Sequence, residues 1–195
     1  MAAPDARVKP AIPVKGARRR VILAACLFVF FMGLFYALVH NPYVGPEPFH
    51  PYLAFVAKTV ARIVNLFGHE ASVFNTVVES SQFSMRIVRG CDAIEPTAAF
   101  VAAVLASPVA FWTKFPGVLL GAAALGVVNI VRLVTLFFVG VYARGALDFM
   151  HEDMWQAAFI VLAICFWAIW VQWAVRHKAF NLTFAETRRI ERRGK

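Results

Sequence analysis

Long runs of apolar residues alternate with short polar stretches along this chain. Four such runs cover residues 21–39, 92–112, 116–142 and 151–173. A helix needs about 20 apolar residues to cross roughly 30 Å of hydrocarbon. The pattern therefore predicts an all-α polytopic membrane protein with about four transmembrane helices. The first run follows basic residues, as in a signal peptide, but no small-residue cleavage site follows it, so we predict a retained helix.

The segment between the first two runs has two different periodicities. Residues 51–67 place apolar side chains at helical spacing, with Lys58 and Arg62 four positions apart, which predicts an extracytoplasmic amphipathic helix at the membrane interface. A full fifth span is the alternative, although the charges and the short length favour the interface. Residues 71–88 are β-branched and alternate with polar residues around Ser80 and Ser81, which predicts a short β-hairpin before the second span.

Composition and charge set the orientation of these elements. Of the 195 residues, 61% are hydrophobic and 16% are charged, and the net charge is +9. The basic residues concentrate at 18–20 and 188–193 and at Lys114, in a "TKFPG" stretch where we predict a tight turn. Lys and Arg mark the cytoplasmic side of membrane proteins, so no nucleic-acid partner is needed to explain the charge.

This charge distribution predicts three regions. Residues 1–20 and 176–195 are basic cytoplasmic tails, and residues 21–175 form a membrane-embedded domain. Residues 41–91 and the loop 143–150 then face outward. Both termini lie in the cytoplasm in this arrangement.

Three polar residues in the apolar chain are candidates for chemistry. Cys91, in "VRGCDAIEP", lies where the predicted hairpin turns into the second span. Arg132 lies sixteen residues after Pro116, about 24 Å along a helix that rises 1.5 Å per residue. His151 opens the fourth span after a short outer loop. All three are therefore expected at one level, near the outer boundary of the bilayer.

Each candidate also has a purely structural interpretation. Arg132 could extend to the outer headgroups, but an arginine in an apolar helix generally faces the bundle interior and carries function. His151 could simply cap the fourth helix. Cys26 and Cys165 lie deep in apolar runs and are expected to act as small hydrophobic residues. A total of three cysteines argues against a disulfide framework.

Further polar residues could support the three candidates. Asn129 lies one turn before Arg132 on the same helix face, where it could hold the guanidinium or bond to a neighbour. Asp92 and Glu95 add polarity beside the cysteine. The acids and the histidine of residues 151–153 could bind a metal, but their spacing matches no ligand motif. We therefore predict neither a metal nor a cofactor.

Three motifs in this order resemble the exosortase/archaeosortase family of membrane transpeptidases. They are "RGCDAIEP" at the start of one membrane helix, "NIVRL" within the next, and the histidine of "HEDMWQ" at the start of the last. The resemblance covers roughly residues 20–175. The short chain, the amphipathic segment and the hairpin resemble the exosortase H branch in particular. Many members have glycine where this chain has Ala93, which leaves the three candidate positions intact.

The resemblance implies that Cys91, Arg132 and His151 are the active-site residues of a membrane cysteine transpeptidase. Such an enzyme cleaves a C-terminal sorting signal of exported proteins through a thioester and transfers the new C-terminus to an acceptor. The implied substrates carry a C-terminal motif, a transmembrane helix and a basic tail. The implied location is the bacterial cytoplasmic (inner) membrane, among membrane lipids, with the active site at the extracytoplasmic face.

The chemistry of the three side chains is consistent with this reaction. A thiolate attacks an amide carbonyl and splits one acyl transfer into two easier steps. A guanidinium can stabilise the oxyanion and favour the thiolate, and a histidine can act as general acid and base. Two alternatives stay open: a membrane cysteine protease that hydrolyses the thioester, and a non-enzymatic helical subunit whose Arg132 holds a partner or lines an ion path.

Overall fold

The computed structural model describes residues 14–39 and 49–193, with the side chains of residues 18–39 and 49–176. Parts of the predicted N-terminal tail and outer segment, residues 1–13 and 40–48, lie outside this range. The helices are α1 (Val14–Val39), α2 (His50–Leu66), α3 (Ile94–Ala106), α4 (Phe111–Tyr142) and α5 (Trp155–Arg193), and the strands are β1 (Ser72–Phe74), β2 (Val77–Glu79) and β3 (Ser84–Arg86).

Within the described residues, three helical segments are long and apolar enough to cross a membrane. They are Arg18–Val39, Phe111–Tyr142 and Phe149–Arg176, with mean hydropathies of 2.6, 2.2 and 2.2. The segments correspond to α1, α4 and the first part of α5 together with the turn before it. The protein is therefore mostly helical, with three candidate membrane spans and one small sheet.

The predicted second span, residues 92–112, is not confirmed. Its helix, α3, has only 13 residues and is about 20 Å long, well short of the hydrocarbon thickness. The helix ends because Ser107 has extended backbone, with ψ of 135°, and the residue before a proline, here Pro108, disfavours helical geometry. The four predicted spans are thus reduced to three long helices and one short one.

The predicted tight turn at "TKFPG" is wrong. These residues belong to α4, which begins at Phe111 and includes Pro116. As the sixth residue of α4, Pro116 lacks the N–H that would bond to the carbonyl of Trp112, yet the helix continues past it. The Nζ of Lys114 donates to the carbonyl of Leu105, so this basic side chain lies against the end of α3.

Helix α2 matches the predicted amphipathic helix, and its apolar face is buried within the protein. Lys58 and Arg62 are exposed, while α2 packs against α4 and against β1 and β2. The hydrophobic residues at helical spacing therefore face the protein core instead of lipid. The buried residues of α2 are Leu53, Val56, Ala57, Val60, Ala61 and Val64.

The predicted hairpin is present within a three-stranded antiparallel sheet of order β1-β2-β3. Strands β2 and β3 pair around the predicted Ser80 turn, with Val78 opposite Met85. The extra strand, β1, joins β2 through a turn in which Asn75 has φ of 55°. Asparagine is one of the few residues other than glycine that adopts this left-handed conformation readily.

Helix α4 connects two hydrophobic cores. In one core, α2, Val78 and Ile87 pack against Leu133 and Phe137 of α4. In the other core, α3 and α5 pack against Leu125 and its neighbours nearer the start of α4. Helix α1 packs against α3. Cys91, between β3 and α3, lies where these two cores meet.

Candidate active site

Cys91 is held in a tight turn between β3 and α3. Its backbone N–H donates to the carbonyl of Val88 at 3.0 Å, and Gly90, the third residue of the turn, has φ of 94°. Glycine is suited to this position because a side chain is strained at positive φ. Asp92 follows, and its Oδ1 accepts a hydrogen bond from the N–H of Ile94 at 3.2 Å. These bonds fix the cysteine backbone at the start of α3.

His151 lies on a π-helical turn, Phe149–Met154, that leads directly into α5. Such turns are rare and are found frequently at functional sites. The Nε2 of His151 lies 3.2 Å from the Sγ of Cys91. A proton can therefore pass directly between the thiol and the imidazole, although the two residues are 60 positions apart.

The guanidinium of Arg132 points into the bundle. The residue is only 5% exposed, and its Nη2 donates to the backbone carbonyl of His151 at 3.2 Å. Its Cζ lies 5.6 Å from the centre of the Phe159 ring, close enough for a cation–π interaction. Arg132 thus holds the histidine turn, a contact that the headgroup interpretation does not predict.

Cys91 and His151 both line a cavity of about 200 Å³ between the sheet, α4 and the π-helical turn. Its walls are largely apolar, but Arg86 and Asp148 each add a charged side chain. Arg132 is not among the residues that line it. A peptide segment in this cavity would contact the thiol and the imidazole directly. The other lining residues are Phe83, Met85, Leu133, Leu136 and Leu147.

Burial raises the pKa of the Cys91 thiol above its ordinary value. The charge of Arg132 and a backbone hydrogen bond at Val88 oppose this shift, and the charge of Asp92 adds to it. Arg132 therefore favours the thiolate, as expected from the sequence, but burial outweighs it. A raised pKa favours the thiol over the thiolate, so a nucleophilic Cys91 would rely on a nearby base to take its proton.

The three supporting residues occupy different environments. Asp92 is buried, and its backbone carbonyl accepts a hydrogen bond from the hydroxyl of Tyr52 at 3.0 Å. Glu95 is exposed and lines a separate cavity with Arg89, facing α1. Asn129 is 1% exposed, and neither atom of its amide has a partner among the described residues. The expected bond from Asn129 to the guanidinium is therefore not formed.

Phe159 and Tyr52 contribute to the site but were not among the sequence candidates. Phe159 follows His151 by eight residues, close to two helical turns, so helical spacing offered a signal for its contact with Arg132. Tyr52 lies 40 residues from its partner Asp92, and no local pattern indicates that contact. The side chains of Arg86 and Asp148 likewise reach the cavity through the tertiary fold.

The remaining cysteines differ from Cys91 in their surroundings. Cys26 and Cys165 are exposed on the surfaces of α1 and α5, and all three cysteines are free. In the part of the chain that the structure describes, no three His, Cys, Asp or Glu side chains come together as metal ligands would. Cys91 is therefore the cysteine with a nearby acid–base group.

Comparisons with protein-family models, with curated proteins and with solved structures give no match to this chain. A functional assignment therefore depends on the three motifs and on the geometry of the site. The geometry brings Cys91, Arg132 and His151 together from three different parts of the sequence.

Proposed function

We propose that this protein is a membrane cysteine transpeptidase of the exosortase/archaeosortase type. The observation that carries the proposal is the 3.2 Å distance between the Sγ of Cys91 and the Nε2 of His151. Nucleophile and base within hydrogen-bond reach, with the base held by a third group, are the signature of covalent catalysis. Here Arg132 is that third group, because it binds the backbone of the histidine turn.

In the first half of the reaction, His151 takes the proton of Cys91 as Sγ attacks the carbonyl carbon of the scissile amide. A carbon–sulfur bond forms, and the carbonyl electron pair moves to the oxygen to give a tetrahedral oxyanion. When this intermediate collapses, the carbon–nitrogen bond breaks and the imidazolium gives its proton to the leaving amine. The substrate remains attached to Cys91 as a thioester.

In the second half, an acceptor with a nucleophilic N–H or O–H group attacks the thioester. His151 removes the acceptor's proton, the carbon–sulfur bond breaks, and the proton then returns to the sulfur. An acceptor amine gives transfer of the new C-terminus, and water gives hydrolysis. The same three side chains therefore serve both outcomes, and access of water to the cavity decides between them.

Arg132 acts in this scheme through its charge and its position. Its charge lowers the pKa of Cys91 against the effect of burial, and the same charge stabilises the oxyanion that forms on the attacked carbonyl. Its hydrogen bond to His151 orients the acid–base group. Oxyanion donors in poorly hydrated sites are worth about 3 to 4 kcal/mol, a contribution that requires the Arg132 guanidinium, which does not line the cavity in this structure, to turn toward the substrate.

Charge distribution supports a site at the extracytoplasmic face of the bacterial inner membrane. Three basic residues lie near the start of α1: Arg18, Arg19 and Arg20. At the opposite end of this helix, Arg89 donates to the carbonyl of Val39. From Phe111 to Arg132, α4 rises about 32 Å, close to the hydrocarbon thickness. If the basic ends are cytoplasmic, Cys91 faces outward.

This orientation, with both termini in the cytoplasm, requires an even number of crossings. We therefore propose that α3 completes the fourth crossing together with residues 107–110. The helix supplies about 20 Å, and residues 107–110 add less than four fully extended residues would, because the N–H of Val109 donates to the carbonyl of Ser107 at 2.9 Å in a bend. Ser107 is buried, and its N–H donates to the carbonyl of Ala103, so the backbone at this break is partly satisfied within the protein.

The function can be tested with proteins of the same cell that end in a short motif, an apolar helix and a basic tail. Such a protein, co-expressed with wild type, is expected to become shorter, and with Cys91→Ala it should stay full length. Cys165→Ala is the matched control and should process normally. Shortening that persists in Cys91→Ala, at equal amounts of membrane-inserted protein, would refute the proposal.

The mass of the shortened product distinguishes transfer from hydrolysis. A product that carries an added acceptor at its new C-terminus supports the transpeptidase. A product that ends in a free carboxylate, with processing still dependent on Cys91, identifies a membrane cysteine protease instead. If no product and no acyl adduct depends on Cys91, the protein is better explained as a non-enzymatic membrane subunit.

A further inference from the structure

A second cavity lies at the other end of α4, away from Cys91. It has a volume of about 310 Å³ and lies between α4 and α5, with Phe100 of α3 on its floor. On α4 it extends along one face from Pro116 to Ala124, and on α5 from Phe166 to Trp173. No lining side chain is charged, and the only polar atoms among them are indole nitrogens. We call this cavity the inner groove.

Aromatic rings close the floor of the inner groove, so the groove opens on the surface of the helix bundle. A Cβ at Gly117 would lie 2.1 Å from the Trp170 side chain, and one at Gly121 would lie 2.0 Å from Phe100. These two rings therefore pack directly on the backbone of α4. Leu120 and Ile169 line the groove and are 69% and 63% exposed. In a candidate membrane span, such an apolar opening faces hydrocarbon.

Two cations lie beyond one end of the inner groove. The indole N–H of Trp170 donates to the carbonyl of Thr113 at 3.1 Å, which places the residue before Lys114 at the level of this ring. Arg176 follows Trp173 by three residues on α5 and is exposed. No acidic residue occurs in α4 or in residues 155–176 of α5. Lys114, whose Nζ donates to the carbonyl of Leu105 at the end of α3, and Arg176 thus form a positive end that no acid on α4 or residues 155–176 of α5 neutralises.

We propose that the inner groove binds one anionic glycerophospholipid, with an acyl chain in the groove and its phosphate group near Lys114 and Arg176. Basic sites between helices on the cytoplasmic side of a membrane attract anionic headgroups. A second protein helix does not fit as well, because a helix of 10 Å diameter would occupy roughly 900 Å³ over the same two to three turns. The binding is independent of the proposed reaction, but it rests on the proposed orientation, with the Phe111 end of α4 toward the cytoplasm.

Native mass spectrometry of the purified full-length chain tests this inference. The protein in detergent is mixed with equal amounts of phosphatidylglycerol and phosphatidylcholine that carry the same acyl chains. Wild type is expected to retain one lipid and to prefer phosphatidylglycerol. Ala124→Phe fills the groove and should lose this lipid, whereas Ala123→Phe, on the exposed neighbouring position outside the groove, should keep it.

Charge variants test the headgroup separately from the acyl chain, and they leave the groove intact. The double variant Lys114→Gln and Arg176→Gln should lose most of the preference for phosphatidylglycerol, about fivefold for each cation. Lys58→Gln, on exposed α2, should keep the preference. Equal retention of both lipids by wild type, or unchanged retention by Ala124→Phe, would overturn the proposal. A dimer that Ala124→Phe dissociates would assign the groove to a second copy instead.

Discussion

The two halves of α4 bury different kinds of side chain. In the half nearer Phe111, Gly117 and Gly121 lie under aromatic rings of α5 and α3, and close packing of small residues is typical of helix contacts within membranes. In the other half, Asn129 and Arg132 are 1% and 5% exposed. One helix therefore combines a packing segment with a polar segment, and the polar segment is the one beside the cysteine.

Burial of polar groups in the second half of α4 opposes stability. Both amide atoms of Asn129, and the Nε of Arg132, lack protein partners among the described residues. A buried polar group without a partner destabilises by about 1–3 kcal/mol, so such residues in an apolar helix indicate function. Substitutions in the polar half should therefore change turnover, and those in the packing half should change stability.

The largest expected effect is on turnover in His151→Ala. Because His151 is the only base assigned to Cys91, its loss should reduce processing about 10²- to 10⁴-fold, the range for general acid–base catalysis. The amount of folded protein should change little. His69→Ala is the control, since His69 bonds to Tyr142 at 3.1 Å and lies outside the Cys91 cavity. Equal turnover in both variants would remove His151 from the reaction.

Arg132→Lys should reduce processing about 10²- to 10³-fold per molecule of inserted enzyme. Lysine keeps the charge but lacks the planar fork of donors, one of which binds the His151 carbonyl. Arg62→Lys, on the exposed face of α2, serves as the control. Near-normal turnover in Arg132→Lys would exclude the arginine from the mechanism. Loss of the protein itself in both Arg132→Lys and Arg132→Ala would identify a structural role.

A smaller effect, on stability alone, is expected for Gly121→Ala in the packing half. The added Cβ would overlap the Phe100 ring, and overpacking of this kind destabilises by about 1–3 kcal/mol. Gly126→Ala is the matched control, because its Cβ would meet nothing within 4 Å. Thermal unfolding in detergent measures the difference. Equal unfolding temperatures for the two variants would contradict the close packing of α3 on α4.

The smallest expected effect is a shift in the pH dependence of Cys91 alkylation. Burial raises the thiol pKa, so the alkylation rate should reach half its maximum at a higher pH than for an exposed cysteine. Arg132→Met removes a charge that lowers this pKa and should move the midpoint higher still. The rates are measured in a Cys26→Ser and Cys165→Ser background. A midpoint below that of an exposed cysteine would indicate a preformed thiolate.

Strong periodic patterns predicted most of the helices. The break between the second and third apolar runs, however, was predicted at Pro116 and lies at Pro108. The apolar runs indicated α1, α4 and α5, and helical spacing indicated α2. The sequence contains prolines at both 108 and 116, and only the first ends a helix. Pro116 lies inside α4, which continues past it despite the missing N–H. The third strand was missed because it depends on a left-handed Asn75, which no alternation of residues shows.

Sequence reasoning placed Cys91, Arg132 and His151 at one level, because helix rise converts sequence position into depth. It could not predict which neighbours face the same cavity. Glu95 lies four residues from Cys91 yet lines a different cavity. Ala93 has φ of 54°, a conformation better suited to glycine. That backbone angle is visible only in the fold.

If Cys91 forms a thioester with the substrate, the mass of the intact protein should increase by the bound acyl group. Purified protein is incubated with a membrane-anchored substrate, quenched in acid and weighed. We expect an added mass equal to that of the substrate's N-terminal fragment less one water, located on Cys91 and released by hydroxylamine. Substrate cleavage that leaves no adduct on Cys91 and that persists in Cys91→Ala would contradict thioester formation at this cysteine.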